Sequence, residues 1–93
     1  MDDKLRIGVA GSGIGRQHIQ AYQTLPERFE VVAICDLDEA KARTLATADH
    51  IPQVTADFAE LCRMDDLDVI DICTPSYLHF AQIRQALEAG KYV

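Results

Sequence analysis

Leu5-Arg6-Ile7-Gly8-Val9-Ala10-Gly11-Ser12-Gly13-Ile14-Gly15 decides how this chain is read. Leu5 to Ala10 is apolar and partly β-branched and runs into glycine, the pattern of a strand ending at a turn. From Ile14 the spacing changes to that of a helix. Ile14, His18, Ala21, Tyr22 and Leu25 share one face, and Pro26 closes the segment. A strand, a glycine-rich turn and a helix therefore follow one another within about twenty residues.

The same alternation continues along the chain. Phe29 to Cys35 is a near-continuous apolar run, as expected of a parallel strand covered on both faces. Asp38 is placed to cap a helix from Glu39 to about Thr47, with Ala42, Leu45 and Ala46 as its buried stripe. A short third strand is expected at Gln53 to Thr55. Asp57 then caps a short helix from Phe58 to Met64. Val69 to Cys73 reads as a fourth strand. Thr74-Pro75-Ser76 makes a turn, and Ser76 is the expected cap of a helix from Tyr77 to Ala89. Phe80, Ile83 and Leu87 are its expected inner face, and Gly90 ends it. Lys91-Tyr92-Val93 reads as the start of a fifth strand. Four strand–helix units predict an α/β fold with a doubly wound parallel sheet, strand order 3-2-1-4, incomplete at about four strands plus the start of a fifth.

Composition narrows the function. The 93 residues carry 15 Asp and Glu against 9 Lys and Arg, a net charge of −6, which disfavours nucleic acid as a partner. No apolar stretch approaches the ~20 residues of a membrane span. Met1-Asp2-Asp3-Lys4 lacks the layout of a secretory signal. Cys35, Cys62 and Cys73 are an odd number at wide spacing, which suits a reducing, cytoplasmic setting. Cys35 and Cys73 end strands on either side of the first, roughly 9–10 Å apart, too far to bridge. All three are read as small buried hydrophobes. Neither the cysteines nor His18, His50 and His79 show zinc-ligand spacing. His18 is read as packed between helix and sheet, and His50 as solvated. Asp57, Glu60, Asp65, Asp66 and Asp68 form an expected solvated acidic edge. Asp71, inside an apolar strand, needs a partner, expected from a neighbouring loop.

Three motifs carry chemistry. Gly11 to Gly15 lies where the pyrophosphate of a dinucleotide must approach backbone N–H groups at a helix N-terminus. Its third glycine comes one residue earlier than in G-x-G-x-x-G, with Arg16 in the usual place. Asp36 ends the second strand, where a carboxylate accepts hydrogen bonds from adenosine ribose hydroxyls and repels a 2′-phosphate. NAD is therefore favoured over NADP; Arg16 could reach a phosphate or stand as a solvated first-turn side chain. Thr74-Pro75-Ser76-Tyr77-Leu78-His79 follows the fourth strand, beside the point where strand order reverses.

Ile7 to His18, Val32 to Asp36, Asp68 to His79 and Ala86 to Val93 together resemble the Gfo/Idh/MocA (glucose–fructose oxidoreductase, inositol dehydrogenase) family of NAD(P)-dependent oxidoreductases. Thr74-Pro75-x-x-x-His79 followed by Ala89-Gly90-Lys91 is the most specific part of the resemblance. It implies a Rossmann domain over residues 1–93, followed in the family by an α/β substrate domain. The parent reaction would be hydride transfer to or from a sugar or polyol. Expected cofactor-binding residues are Gly11, Ser12, Gly13, Ile14, Gly15, Asp36, Leu37, Thr74, Pro75 and His79. The family's Glu-Lys-Pro motif would start just after Val93, so no catalytic residue is expected within this chain, which alone is expected to be inactive. The edge of strand four, at Val69, Ile70 and Ile72, is an expected site of self-association. An S-adenosylmethionine methyltransferase fragment and a non-catalytic nucleotide-binding module are the alternatives.

Overall fold

The structure, a computed structural model, describes residues 4–93. Met1 to Asp3, part of the segment read for a secretory leader, lie outside the described residues. The elements are β1 (Leu5–Ala10), α1 (Ile14–Gln23), β2 (Phe29–Cys35), α2 (Glu39–Asp49), β3 (Gln53–Thr55), α3 (Phe58–Cys62), β4 (Val69–Ile72), a 3-10 turn (Ser76–Leu78) and α4 (His79–Glu88). The sheet is parallel in the order β3-β2-β1-β4. This is the expected doubly wound arrangement. It puts the C-terminal ends of β1, β2 and β4 side by side, with β1 in the middle.

Burial follows from this layering. Ile7, Val9, Val31 and Ile34 point to the face covered by α1 and α2, where they meet Ile19, Ala42, Leu45 and Ala46. Ala10, Val32, Ala33 and Ile70 point to the opposite face and meet Leu61, Cys62, Leu67 and Ala86. The register of β1 on β2 slips between Ile7 and Gly8, so that Ile7 faces Val31 while Gly8 faces Ala33. The irregularity places the adjacent Val32 and Ala33 in the same core, breaking strict alternation.

Several expectations need correction. The buried side of α1 is Gly15 and Ile19 with Tyr22 beside them, while Ile14, His18, Ala21 and Leu25 are exposed. The reason is close approach: a Cβ on Gly15 would lie 2.8 Å from Val9 Cγ1, so the bare glycine sets which face meets the sheet. Ser76 does not cap α4. Pro75 precedes the 3-10 turn, and α4 starts at His79 with no side-chain cap. Phe80, Ile83 and Leu87 do not line the inner face either. They are exposed, Phe80 at 79%, and Ala86 is the residue of α4 that is buried.

The acidic edge is more structured than expected. Asp57 caps α3 through the Ala59 N–H at 2.9 Å, Asp66 accepts from Gln53 Nε2 at 2.8 Å, and Asp68 pairs with Arg6. His50 is exposed but has a defined place, ending α2 in the left-handed conformation at φ 60°. The β4 edge is partly covered. Tyr92 donates to Asp68 O at 3.0 Å and accepts from Ile70 N–H at 2.9 Å, which begins a fifth position in the sheet. Among the described residues no helix is long and apolar enough to cross a membrane.

Candidate functional site

The C-terminal ends of the strands open into a cleft of about 390 Å³. One wall is the glycine loop. Gly11 is required there on two counts, since its φ is +98° and a Cβ would sit 2.5 Å from the Cys73 carbonyl oxygen. At Gly13 a Cβ would meet nothing within 4 Å. The absent side chain leaves open space at the start of α1, where a ligand can reach the backbone. The shortened loop therefore divides the work of a dinucleotide loop among its three glycines. Gly11 makes the turn, Gly13 leaves the approach open and Gly15 packs helix on strand.

The amides of the loop are not equivalent. Gly11 N–H donates to Cys35 O at 2.8 Å, Ser12 N–H to Asp36 Oδ2 at 3.0 Å, and Arg16 N–H to Gly13 O at 3.2 Å. Gly13, Ile14 and Gly15 are left at the start of the helix, where N–H groups have no carbonyl four residues back.

Asp36 forms the second wall, and its carboxylate is held from both sides. Oδ2 accepts from the Ser12 N–H and also from Ser12 Oγ, while Oδ1 accepts from the Asp38 N–H at 2.9 Å. Burial pushes the Asp36 carboxyl up. The bonds from the Ser12 hydroxyl and from the Asp38 and Ser12 amides outweigh that and hold it below the ordinary aspartate value. The group is thus an oriented anion. Ser12 itself is buried.

Leu37, almost fully exposed, and Phe58 add apolar surface, and Thr74 and Pro75 close the far side with Tyr77, Leu78 and Gln82. Of the expected cofactor residues, Gly11, Ser12, Gly13, Asp36, Leu37, Thr74 and Pro75 line this cleft. Ile14 is exposed at the helix start, and Gly15 is buried behind the loop. His79 does not line the cleft. Its Nε2 lies 2.7 Å from Thr74 O, which braces the loop from behind. Thr74 Oγ1 is tied to Gln82 Oε1. Ala56, Phe58 and Gln82 were not singled out from the sequence. The signal for the first two was available: they follow β3, and residues following parallel strands gather at one end of the sheet.

Arg16 is not at the cleft. Its Nε lies 3.5 Å from Asp49 Oδ2, joining α1 to α2. Cys73, expected to be simply buried, is half-buried and polar in its contacts, and Asp71 finds its partners on a helix rather than a loop. Tyr22 Oη donates to Asp71 Oδ2 at 2.7 Å, and His18 Nδ1 lies 2.7 Å from the same oxygen. Burial pushes the Asp71 carboxyl up, but Tyr22, His18 and Cys73 together hold it below the ordinary value. Burial and the neighbouring Asp71 push the Cys73 thiol up to about 12, and burial with nearby Asp36 does the same at Cys35, also to about 12.

Comparisons with known proteins agree with this geometry. A family model described as an oxidoreductase family with an NAD-binding Rossmann fold (Gfo/Idh/MocA) matches residues 5–93. An uncharacterised oxidoreductase of Bacillus subtilis, YrbE, is 31% identical across 100% of this chain and 27% of its own length. Inositol 2-dehydrogenase of Acidothermus cellulolyticus is 32% identical across 99% of this chain and 27% of its own. Among solved structures, scyllo-inositol dehydrogenase of Lactobacillus casei with bound NAD(H) and scyllo-inositol superposes with a TM-score of 0.87 at 28% identity, covering 95% of this chain and 26% of that one. The chain thus spans about a quarter of the length of these relatives. Nothing in the comparisons supports a methyltransferase.

Proposed function

The chain belongs to the Gfo/Idh/MocA oxidoreductase family as an NAD-binding Rossmann domain, and from that premise we propose that it serves an NAD-preferring sugar or polyol oxidoreductase. The observation that carries the reading is the pairing of an open Gly13 with an oriented Asp36 across one cleft. Free N–H groups of Gly13, Ile14 and Gly15 would hold the pyrophosphate at the positive end of α1. Asp36 would accept from the adenosine ribose. Leu37 and Phe58 offer the adenine ring apolar surface, and Thr74 and Pro75 lie toward the nicotinamide half, braced by His79 and Gln82. The cofactor supplies hydride chemistry when bound; these residues bind and orient.

Preference for NAD rests on charge. Asp36 would face a 2′-phosphate, and Arg16 is engaged with Asp49; Lys41 is the cation that acts on Asp36 itself. Substrate-handling groups, on this reading, belong to a further domain such as makes up the remaining length of the relatives, so residues 1–93 alone bind without turnover. The three free cysteines support a cytoplasmic setting. Self-association at the end of β4 near Ile72 is part of the reading, and sedimentation independent of concentration would count against it.

Titration with NAD, NADP and S-adenosylmethionine tests the assignment. NAD should bind most tightly. Gly13→Val should abolish binding while leaving the fold intact, because the new side chain meets only open space. Asp36→Ser should raise NADP affinity relative to NAD. Unchanged NAD affinity in Gly13→Val would defeat the phosphate assignment. A wild-type preference for NADP would defeat the role of Asp36.

A further inference from the structure

Behind the glycine loop, sharing only Cys73 with the lining of the cleft, three chemically different donors converge. His18 Nδ1 lies 2.7 Å from Asp71 Oδ2, Cys73 Sγ lies 3.3 Å from the same Nδ1, and Sγ lies 3.3 Å from Asp71 Oδ1. One ligand atom from each residue falls within 4.8 Å of the other two. We propose that His18, Asp71 and Cys73 form a transition-metal site suited to zinc.

The donor set is the first argument. Imidazole, carboxylate and thiolate are the three side-chain ligands of zinc, whereas a single carboxylate is a poor site for calcium or magnesium. Spacing is the second. Zinc bonds of about 2.0–2.3 Å in a tetrahedron put neighbouring donors roughly 3.3–3.6 Å apart. The 2.7 Å between His18 Nδ1 and Asp71 Oδ2 falls short of that by about 0.6 Å, and the 3.3 Å from Cys73 Sγ to Nδ1 lies at its lower edge, so an outward turn of the side chains admits an ion. The third is support. Asp71 lies on β4 in register with Val9, and His18 precedes the fully buried Ile19 on α1, so both sit on elements fixed by the core. Tyr22 Oη donates to Asp71 at 2.7 Å, the kind of outer partner that orients a ligating carboxylate. Arg16, the arginine of α1, is paired with Asp49 and not with this group. His18 is about half-exposed, which leaves access for the ion and room for water as a fourth ligand.

On binding, the Cys73 S–H bond breaks as the sulfur–zinc bond forms, and the proton goes to buffer. A neutral His18 protonated on Nδ1 shifts that proton to Nε2, and an imidazolium releases its Nδ1 proton to buffer, freeing the lone pair in either case. The local spacing rule misses this group because its members come from α1 and from β4 with the residue that follows it, 53 to 55 residues apart.

The test uses the tag-free chain with zinc alone and with cobalt as a spectroscopic substitute. The expected result is one ion per chain, a tetrahedral cobalt spectrum and a thiolate-to-cobalt charge-transfer band. Cys73→Ser should remove that band and weaken zinc by more than the ~10–100-fold that loss of an outer partner costs. Tyr22→Phe should keep the band and weaken zinc only within that range. The site is refuted if the folded wild-type chain retains no zinc, if its cobalt spectrum lacks the thiolate band, or if folded Cys73→Ser binds zinc as tightly. The wild-type spectrum decides the matter even if a variant does not fold, and none of these outcomes depends on cofactor binding.

Discussion

The two faces of the sheet are covered in different ways. On the first, α1 and α2 bury a core rich in large side chains, with Ile19, Val31, Ile34 and Leu45 among them. On the second, the sheet offers mostly small residues, Gly8, Ala10, Ala33 and Cys35, and the space above Gly8 is filled by Leu61 and Leu67. There α4 contributes Ala86, and its largest apolar side chains point outward. A helix on the first face is held by its apolar stripe. On the second face α3 is held in the same way through Leu61, but α4 is held by a small residue that permits close approach, and its apolar stripe is left free. The first face also has a polar tie from strand to helix, in Asp71 joined to Tyr22 and His18 of α1.

Substitutions can break this contrast or sharpen it. Ile34→Ala, at a fully buried position of the first face, should cost about 2–5 kcal/mol in denaturant unfolding. A loss below about 1 kcal/mol would mean that this core is not what holds α1 and α2. Gly15→Ala should cost about 1–3 kcal/mol, because its Cβ would press on Val9 at 2.8 Å and wedge α1 off the sheet. The same substitution at Gly13, where space is open, should be much milder in stability.

The polar tie is expected to be lost only in acid. The folded Asp71 carboxyl titrates below the ordinary aspartate value of 3.8. Its stabilisation is therefore complete above that value and is lost as pH falls through the lower folded value. Comparing wild type with Asp71→Asn from neutral pH down to below 3.8 should show the stability gap closing at the acid end. A gap that stays constant would show that the Asp71 charge adds nothing. The smallest effect is expected at Phe80→Ser, within about 0.5 kcal/mol, since the side chain is 79% exposed. A cost comparable with Ile34→Ala would mean that the outer face of α4 is covered in solution.

The strands and their order were readable because β1, β2 and β4 are largely apolar runs bounded by turn residues, and right-handed crossovers leave few arrangements. Asp38 and Asp57 were readable as caps because a cap acts within three residues. What escaped was set at a distance. The stripe of α1 is chosen by the contact of Gly15 with Val9, and that of α4 by the space over Ala86, and periodicity reports neither. Within the cleft, the glycine loop and Asp36 were legible from spacing. The bond of Ser12 to Asp36 spans 24 residues and is visible only once β1 and β2 are paired. Arg16 could not be placed from the sequence because its partner, Asp49, lies on the next helix.

The central place of β1 has a kinetic consequence. Pairing β1 with β2 closes a short stretch of chain through α1, whereas Arg6 meets Asp68 across 62 residues. Loop-closure entropy makes the distant pairing the later one. The β1-α1-β2 unit is therefore expected to form the folding nucleus, with β4 docking after the rate-limiting barrier. Loss of the Arg6–Asp68 pair should then speed unfolding and leave the refolding rate nearly unchanged. Stopped-flow chevrons of Asp68→Asn would show this as a shift confined to the unfolding limb, and slowed refolding would place β4 in the nucleus instead. The strand that carries Thr74 and Pro75 to the cleft would thus be the last to arrive in folding and the first to leave.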